Sequence, residues 1–357
     1  MTTETIIVRE PPGHKGKISR DEAVAWTLPE LKGLRKVLGP EWYRLLKGLV
    51  TNPLSVAGLI IVAFYILMAI FAPVLAPPTS EVVDPYLVPR DGFSPEPKPP
   101  GTVWNREPPP VPTWYRVITG KDYWVHLLGT TSGQFDIWYG VVWGARTALF
   151  AGIVVTFSTV IIGLVIGSIS AFYGGWLDDV LMRFTEIFMA FPFLLAALLL
   201  SSLLVPRFGR SIWPPTIALI AFGWMRYARV VRGDILSAKE RDYVMAGRVL
   251  GVKDGRLIMR HILPNVIYPI LVLASFRLGD AVLSFAALSF LGVGTQIGYA
   301  DWGQIISFAR DWILSLDTHW YIILFPGLAL IIFGLGWNLI GDALRDILDP
   351  RLRTEQG

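Results

Sequence analysis

The sequence predicts an all-α, polytopic membrane protein with six transmembrane helices. Composition is the first reason: 53% of the 357 residues are hydrophobic, 13% aromatic and only 17% charged. A chain of this length could be two globular domains, but so few charges cannot cover two globular surfaces. The second reason is the recurrence of apolar runs long enough, at 1.5 Å rise per residue, to cross a hydrocarbon core of about 30 Å. The third is the clustering of lysine and arginine beside alternate ends of those runs, as topology determinants do.

Residues 1–53 are polar and are expected to form a cytoplasmic N-terminal segment, too long and too poorly patterned for a cleaved signal peptide. Near 40–50 the pattern turns amphipathic, with Trp42, Leu45, Leu46 and Leu49 against Arg44 and Lys47. That suits a helix lying in the headgroup region. Residues 54–76 carry no charge and form the first span, bounded by Pro73, Pro77 and Pro78. Residues 77–145 read as a Pro-rich extracytoplasmic insertion with Trp104, Trp114, Tyr115 and Trp124 interleaved. Such a stretch is either a structureless linker or an extended, polyproline-like ribbon whose aromatics pack on the protein or a partner.

Residues 146–341 contain the other five predicted spans. The second runs from Thr147 to Tyr173 and is followed by a tight turn over residues 174–183. The third, Ile187 to Val205, contains Pro192, which invites a kink. The fourth runs from Ile212 to about Tyr227 and merges into a basic loop, 226–265. The fifth, Val266 to Leu291, holds Arg277 and Asp280, and the sixth is Trp320 to Ile340. Residues 342–357 form a cytoplasmic tail. Basic residues are dense in the N-terminal segment (Arg9 to Lys47) and in the central loop (Arg226 to Arg260). They are thinly spread elsewhere, so both termini and the central loop are placed in the cytoplasm of a cell-membrane protein.

Several function classes lose support at once. A net charge of +4, with the basic residues beside apolar runs, points to a membrane and not to nucleic acid. The chain has no cysteine and only four scattered histidines, without an HExxH or a GxxxxGK[ST] phosphate loop. No cofactor, metal or catalytic residue is expected, and any ATP chemistry must lie on another chain. An intramembrane hydrolase would need a base or metal ligands within the spans. A secondary transporter would show inverted repeats, and a channel would not need the large loop between spans four and five.

That loop, Lys239 to Asn265, organises the rest. Tyr243, Ala246, Gly247 and Leu250 fall at i, i+3, i+4 and i+7, one face of a helix whose centre is small. Gly251 ends it with a left-handed cap. Asp254 is then placed to cap a second short helix, Gly255 to Ile262, that stops before Pro264. An ordinary amphipathic loop helix has the same pattern; a small-residue face outside the membrane also suits docking.

The same residues resemble the permease signature of ATP-binding-cassette importers: EAA, three residues, Gly, nine residues, I-x-LP. Met245-Ala246-Gly247, Gly251 and His261-Ile262-Leu263-Pro264 keep its spacing, with Met245, Gly247 and His261 departing from its residue types. The words RDYVMAGR, RHILPN, AALSFLGVG (286–294) and GWNLIGDALRDILDPRLR (336–353) look like the dipeptide/oligopeptide permease family, C-type subunit. Gly-Ala-Arg at 144–146 and Trp302-Gly303 also fit. The resemblance covers roughly residues 42–76 and 126–353; the insertion at 77–125 carries none of the words that support it. It implies the type I importer permease fold, working by alternating access. The implied partners are a second permease subunit in a heterodimer, two cytoplasmic ATP-binding subunits and an extracytoplasmic substrate-binding protein. It also implies an ATPase-coupling role for Tyr243, Ala246, Gly247, Leu250 and Gly251. Peptide is the implied substrate, with oligosaccharide and nickel importers as relatives of the same class.

Arg277 and Asp280 stand at i and i+3, so their side chains can meet. They are either a self-neutralising structural pair or part of the substrate path, where they would meet the charged ends of a zwitterionic peptide.

Overall fold

The computed structural model describes residues 40–79 and 84–348. Most of the N-terminal segment and the end of the C-terminal tail, with their expected cytoplasmic placement, lie outside the described residues. Helix α1, Pro40–Thr51, occupies the stretch expected to be amphipathic. Helix α2, Pro53–Ile70, follows after one residue, Asn52, whose side-chain oxygen accepts the Leu54 amide at 2.9 Å, with Pro53 at the first helical position. A single turn, α3 (Ala72–Leu75), continues it.

The insertion is not a linker. Over residues 84–136 it folds into a cap with a short helix, α4 (Thr113–Thr119), and isolated antiparallel bridges pairing Leu87 with Tyr299, Arg90 with Phe135 and Val103 with Val125. Trp104, Tyr115 and Trp124 are buried in it. Its polar centre is Asp91. One carboxylate oxygen accepts the amides of Asn105 at 2.8 Å and Arg106 at 2.6 Å. The other meets Lys98 and, at 3.2 Å, His126 Nε2. His126 Nδ1 lies 2.7 Å from Asp136, and Asp136 accepts the Tyr139 amide at 3.0 Å, capping the next helix. The hydrogen bonds from Lys98, His126 and the two amides hold the Asp91 carboxyl below its usual range against the opposing effect of burial, the largest single influence on it.

That next helix, α5, is Ile137–Tyr173, starting ten residues before the predicted second span. The reason is the Asp136 cap together with four side chains that seal the top of α2 and α3. Arg146 donates to the carbonyls of Ala69 and Ile70, Trp138 to Leu75 at 3.1 Å and Trp143 to Ala76 at 2.9 Å. Trp114 also donates to Leu75. The C-terminal carbonyls of a helix have no intrahelical partner, and these donors take them.

The expected turn after α5 shrinks to Gly174 and Gly175, at φ of 65° and 58°. Helix α6, Gly175–Met189, starts immediately, and α7, Phe193–Phe208, follows at a bend of 86° around Pro192. The kink expected at Pro192 is thus present as a sharp bend between two helices. Helix α8 is only Trp213–Gly223, and α9, Met225–Ala238, is amphipathic. Four helices are long and apolar enough to cross a membrane among the described residues, five if the bent pair is one span. Asp178 receives both Nε and Nη2 of Arg232, at 2.7 and 2.6 Å, and so ties α6 to α9.

After α9 come α10 (Asp242–Val249) and α11 (Asp254–Leu257). Asp254 is the first residue of α11 and not its cap, and α11 does not stop before Pro264. It passes through a π-helical turn, Ile258–Ile262, into α12, Leu263–Phe290. The wider turn relieves the clash between a proline ring and the carbonyl four residues back, so the proline sits in the first turn of α12 without breaking the chain of helices. Helix α13 is Trp302–Ser307, and α14, Tyr321–Leu348, closes the bundle. Close approach of α2 to α14 depends on glycine: a Cβ at Gly58 would lie 2.8 Å from the Gly336 carbonyl oxygen.

Asp301 caps α13 from a fully buried position, accepting the Gly303 amide at 2.9 Å and facing Thr295 at 3.1 Å. Burial pushes its carboxyl up to about 6. A carboxyl raised on folding stabilises below its unfolded value and loses that contribution as pH rises through the folded one. Asp301→Asn, which keeps the acceptor, is therefore expected to stabilise the chain by on the order of 2 kcal/mol above pH 7 and by nothing near pH 4. Thermal unfolding in detergent at the two pH values checks this; equal gains at both would refute it.

Candidate functional site

Helix α10 is mounted on the end of the longest helix. Val244 and Leu257 are fully buried in one cluster with Phe172, Val231, Ile235 and Ile262. Lys239 donates to the Ala171 carbonyl at 3.0 Å, and Arg248 lies over the Phe172 ring at 5.2 Å. Through this cluster and Arg248, α10 is packed beside the C-terminal end of α5. Its C-terminus is closed as expected: Gly251 has φ of 73°, and the Val252 amide donates to Gly247 at 3.0 Å.

The structure divides the predicted docking face. Tyr243, Ala246 and Leu250 are exposed, whereas Gly247 turns inward, its Cα facing Leu257 so that a Cβ would sit 2.9 Å from that side chain's Cδ1. Gly251 is exposed at the cap. Two residues outside the predicted coupling set join the surface: Met245, named only as a signature position, is half exposed, and Val249 is 87% exposed, beside Leu250 at 81%. Met245 and Val249 stand at i and i+4, a second periodicity overlapping the first. Together with Leu250 they form an open apolar group on an otherwise charged loop.

The second feature is a cavity of about 170 Å³ between α5, α6, α8, α9 and α12, lined in part by Thr159, Phe188, Phe191, Arg226, Arg277 and Asp280. The two predicted charges do meet. Arg277 Nη1 is 3.6 Å from Asp280 Oδ2, and Asp280 is the more open of the two. Arg226, read from sequence only as a topology charge, also faces the cavity. Position at the edge of an apolar run was the available signal, and it served two readings equally. The α10 surface and the cavity share no residue.

This is the architecture of a multi-pass membrane protein, with a mainly apolar cavity that carries Arg226, Arg277 and Asp280 among its helices and an exposed apolar group on a loop. The sequence profile of binding-protein-dependent transport system inner membrane components matches residues 163–354, and that of the N-terminal transmembrane domain of oligopeptide transport permease C matches residues 41–93. The dipeptide transport system permease protein DppC of Alkalihalophilus pseudofirmus is 33% identical, over 88% of this chain and 91% of its own length. The oligopeptide transport system permease protein OppC of Bacillus subtilis is 35% identical, over 85% and 87%. A putative peptide transport system permease protein of Brucella suis is 44% identical, over 64% and 75%. Among solved structures, the MetNI methionine ABC transporter in an inward-facing conformation aligns at a TM-score of 0.46 with 17% identity, covering 60% of this chain and 98% of that one. The chain belongs to the binding-protein-dependent ABC importer permeases, as a C-type subunit of the dipeptide/oligopeptide family.

Proposed function

We propose that this chain forms half of the translocation path of an ATP-driven importer of di- or oligopeptides. It pairs with a second, different permease. Two cytoplasmic ATP-binding subunits dock on the α10 side, and an external binding protein delivers substrate to the other. The observation that carries the reading is the exposed apolar surface of Met245, Val249 and Leu250 on a helix bolted to α5. Closure of the ATPases pushes α10, α5 moves with it, and the cavity exchanges access from one side to the other. Peptide is favoured because the relatives named for a substrate transport peptides and because a paired cation and anion in the cavity match the two ends of a zwitterion. Uptake of labelled dipeptide by vesicles holding the complete assembly, competed by unlabelled peptide but not by oligosaccharide or nickel ion, is the expected result. Competition by sugar or nickel alone would remove the peptide assignment.

Orientation has its own test. Wild-type protein contains no cysteine, so single thiols report cleanly. Glu96→Cys, on the exposed surface of the cap, is expected to react with an impermeant maleimide on intact cells, and Ser19→Cys only after permeabilisation. The reverse pattern would turn the topology over.

A further inference from the structure

Helix α4 carries two side chains for which the cap has no use. Val117 is 80% and Ile118 74% exposed. On the opposite flank Tyr115 is buried and packs edge-on against Trp124 at 4.6 Å between ring centres. Val117 and Ile118 stand three and four residues after Trp114, so the three share a flank. Trp114 fixes the height of that flank, because its indole donates to the Leu75 carbonyl at 3.3 Å, the carbonyl that Trp138 also uses. Leu75 is the last residue of the helical path through the first span. Trp114 thus stands where the chain leaves the hydrocarbon.

One helical turn rises about 5.4 Å. The headgroup layer on each side of a bilayer is about 5–8 Å deep. Val117 and Ile118 therefore lie within about one turn of the level at which the first span ends. The neighbours suit such a place. Arg116 and Lys121 flank the apolar pair, and Lys121 lies over the Tyr123 ring at 5.3 Å. Cationic heads and amphipathic rings collect at the interface. Phe71 and Val74, close to the end of the first span, are exposed apolar residues as well.

We propose that α4 is an interfacial anchor, with Trp114, Val117 and Ile118 seated among the headgroups of the leaflet in which the first span ends. It holds the cap against the membrane and sets the height at which the span emerges. This does not depend on the transported substrate or on the ATPase contact.

The test uses the full chain with its co-purifying subunits, in vesicles of phosphatidylcholine and phosphatidylglycerol. A fluorophore is attached to Ile118→Cys or Val117→Cys, with Glu96→Cys as the aqueous reference. At 117 and 118 a lipid carrying a nitroxide near the headgroup is expected to quench several-fold more than at 96, and iodide several-fold less. Iodide quenching equal to that at 96 would overturn the proposal by placing the helix in water. Protection from both quenchers would overturn it as well, by placing the helix against another protein.

Discussion

Leu250→Asp is expected to cut ATP-driven uptake by roughly 30-fold or more, the equivalent of about 2 kcal/mol lost from an anchoring contact. Membrane insertion and pairing with the second permease are expected to be unchanged. Leu250 makes no demand on the chain's own packing: it is 81% exposed and follows α10 at the turn closed by Gly251. An aspartate there meets only water in the free chain, so folding has no reason to suffer. In the assembly it places an unpaired carboxylate in an apolar contact, which costs on both sides of the interface. Val249→Asp is expected to behave alike. Gly247→Trp is the poorer experiment, because a large ring at 247 strikes Leu257 and damages the support before it reaches a partner. Gly247→Ala serves as the control: the nearest atom is the end of a flexible leucine, which can yield, and uptake is expected to stay near wild type. Uptake and substrate-stimulated ATP hydrolysis in reconstituted vesicles give the readout. If the Leu250→Asp assembly transports at the wild-type rate, α10 is not the coupling contact.

The division of the α10 face explains how far periodicity reaches. Spacing identified the helix, its glycine stop and most of its exposed residues. It could not say that Gly247 turns inward while Met245 and Val249 face solvent, because that is set by Val244 and Leu257 packing in one cluster with Phe172. The long apolar helices were legible for the same reason, since lipid demands continuous apolar length whatever the packing. Where the structure departs from the sequence reading, a long-range contact is responsible. Helix α5 starts at Ile137 because Asp136 caps it, and Asp136 is held by His126, which is in turn held by Asp91, 35 residues earlier in the chain. Nothing in local spacing links those three. The prolines of the insertion do announce extended backbone, but the burial of Trp104, Tyr115 and Trp124 depends on the tops of α2 and α5 as a floor. Pro264 reads as a helix stop until a π-helical turn absorbs it.

The cavity charges separate a structural from a transport role most sharply. The double exchange Arg277→Asp with Asp280→Arg is expected to assemble normally and yet lower uptake of a zwitterionic dipeptide by at least about 10-fold, as befits charged hydrogen bonds worth about 1.5–3 kcal/mol each. The geometry argues for this outcome over simple rescue. At 3.6 Å the pair is looser than a good charge-assisted contact, and the Asp280 side chain is 58% exposed toward the cavity. Both groups therefore keep capacity for a third party. A purely structural pair would be closed and shielded, and breaking it would cost about 3–5 kcal/mol. Single alanine variants consequently have a smaller expected effect on assembly here than a buried pair would give. The charges also sit in an asymmetric setting: Arg226 lines the same cavity, so exchange moves the cationic end of the site relative to it. A dipeptide blocked at both termini provides the internal control, since it offers neither charge and its residual uptake is expected to be the same in wild type and exchange. Three measurements decide: the yield of the assembled importer, its ATPase stimulation, and uptake of the free against the blocked dipeptide. Wild-type uptake of the free dipeptide by the exchanged protein would end the substrate-contact reading. Poor assembly of both alanine variants, repaired by the exchange, would leave the pair a structural one.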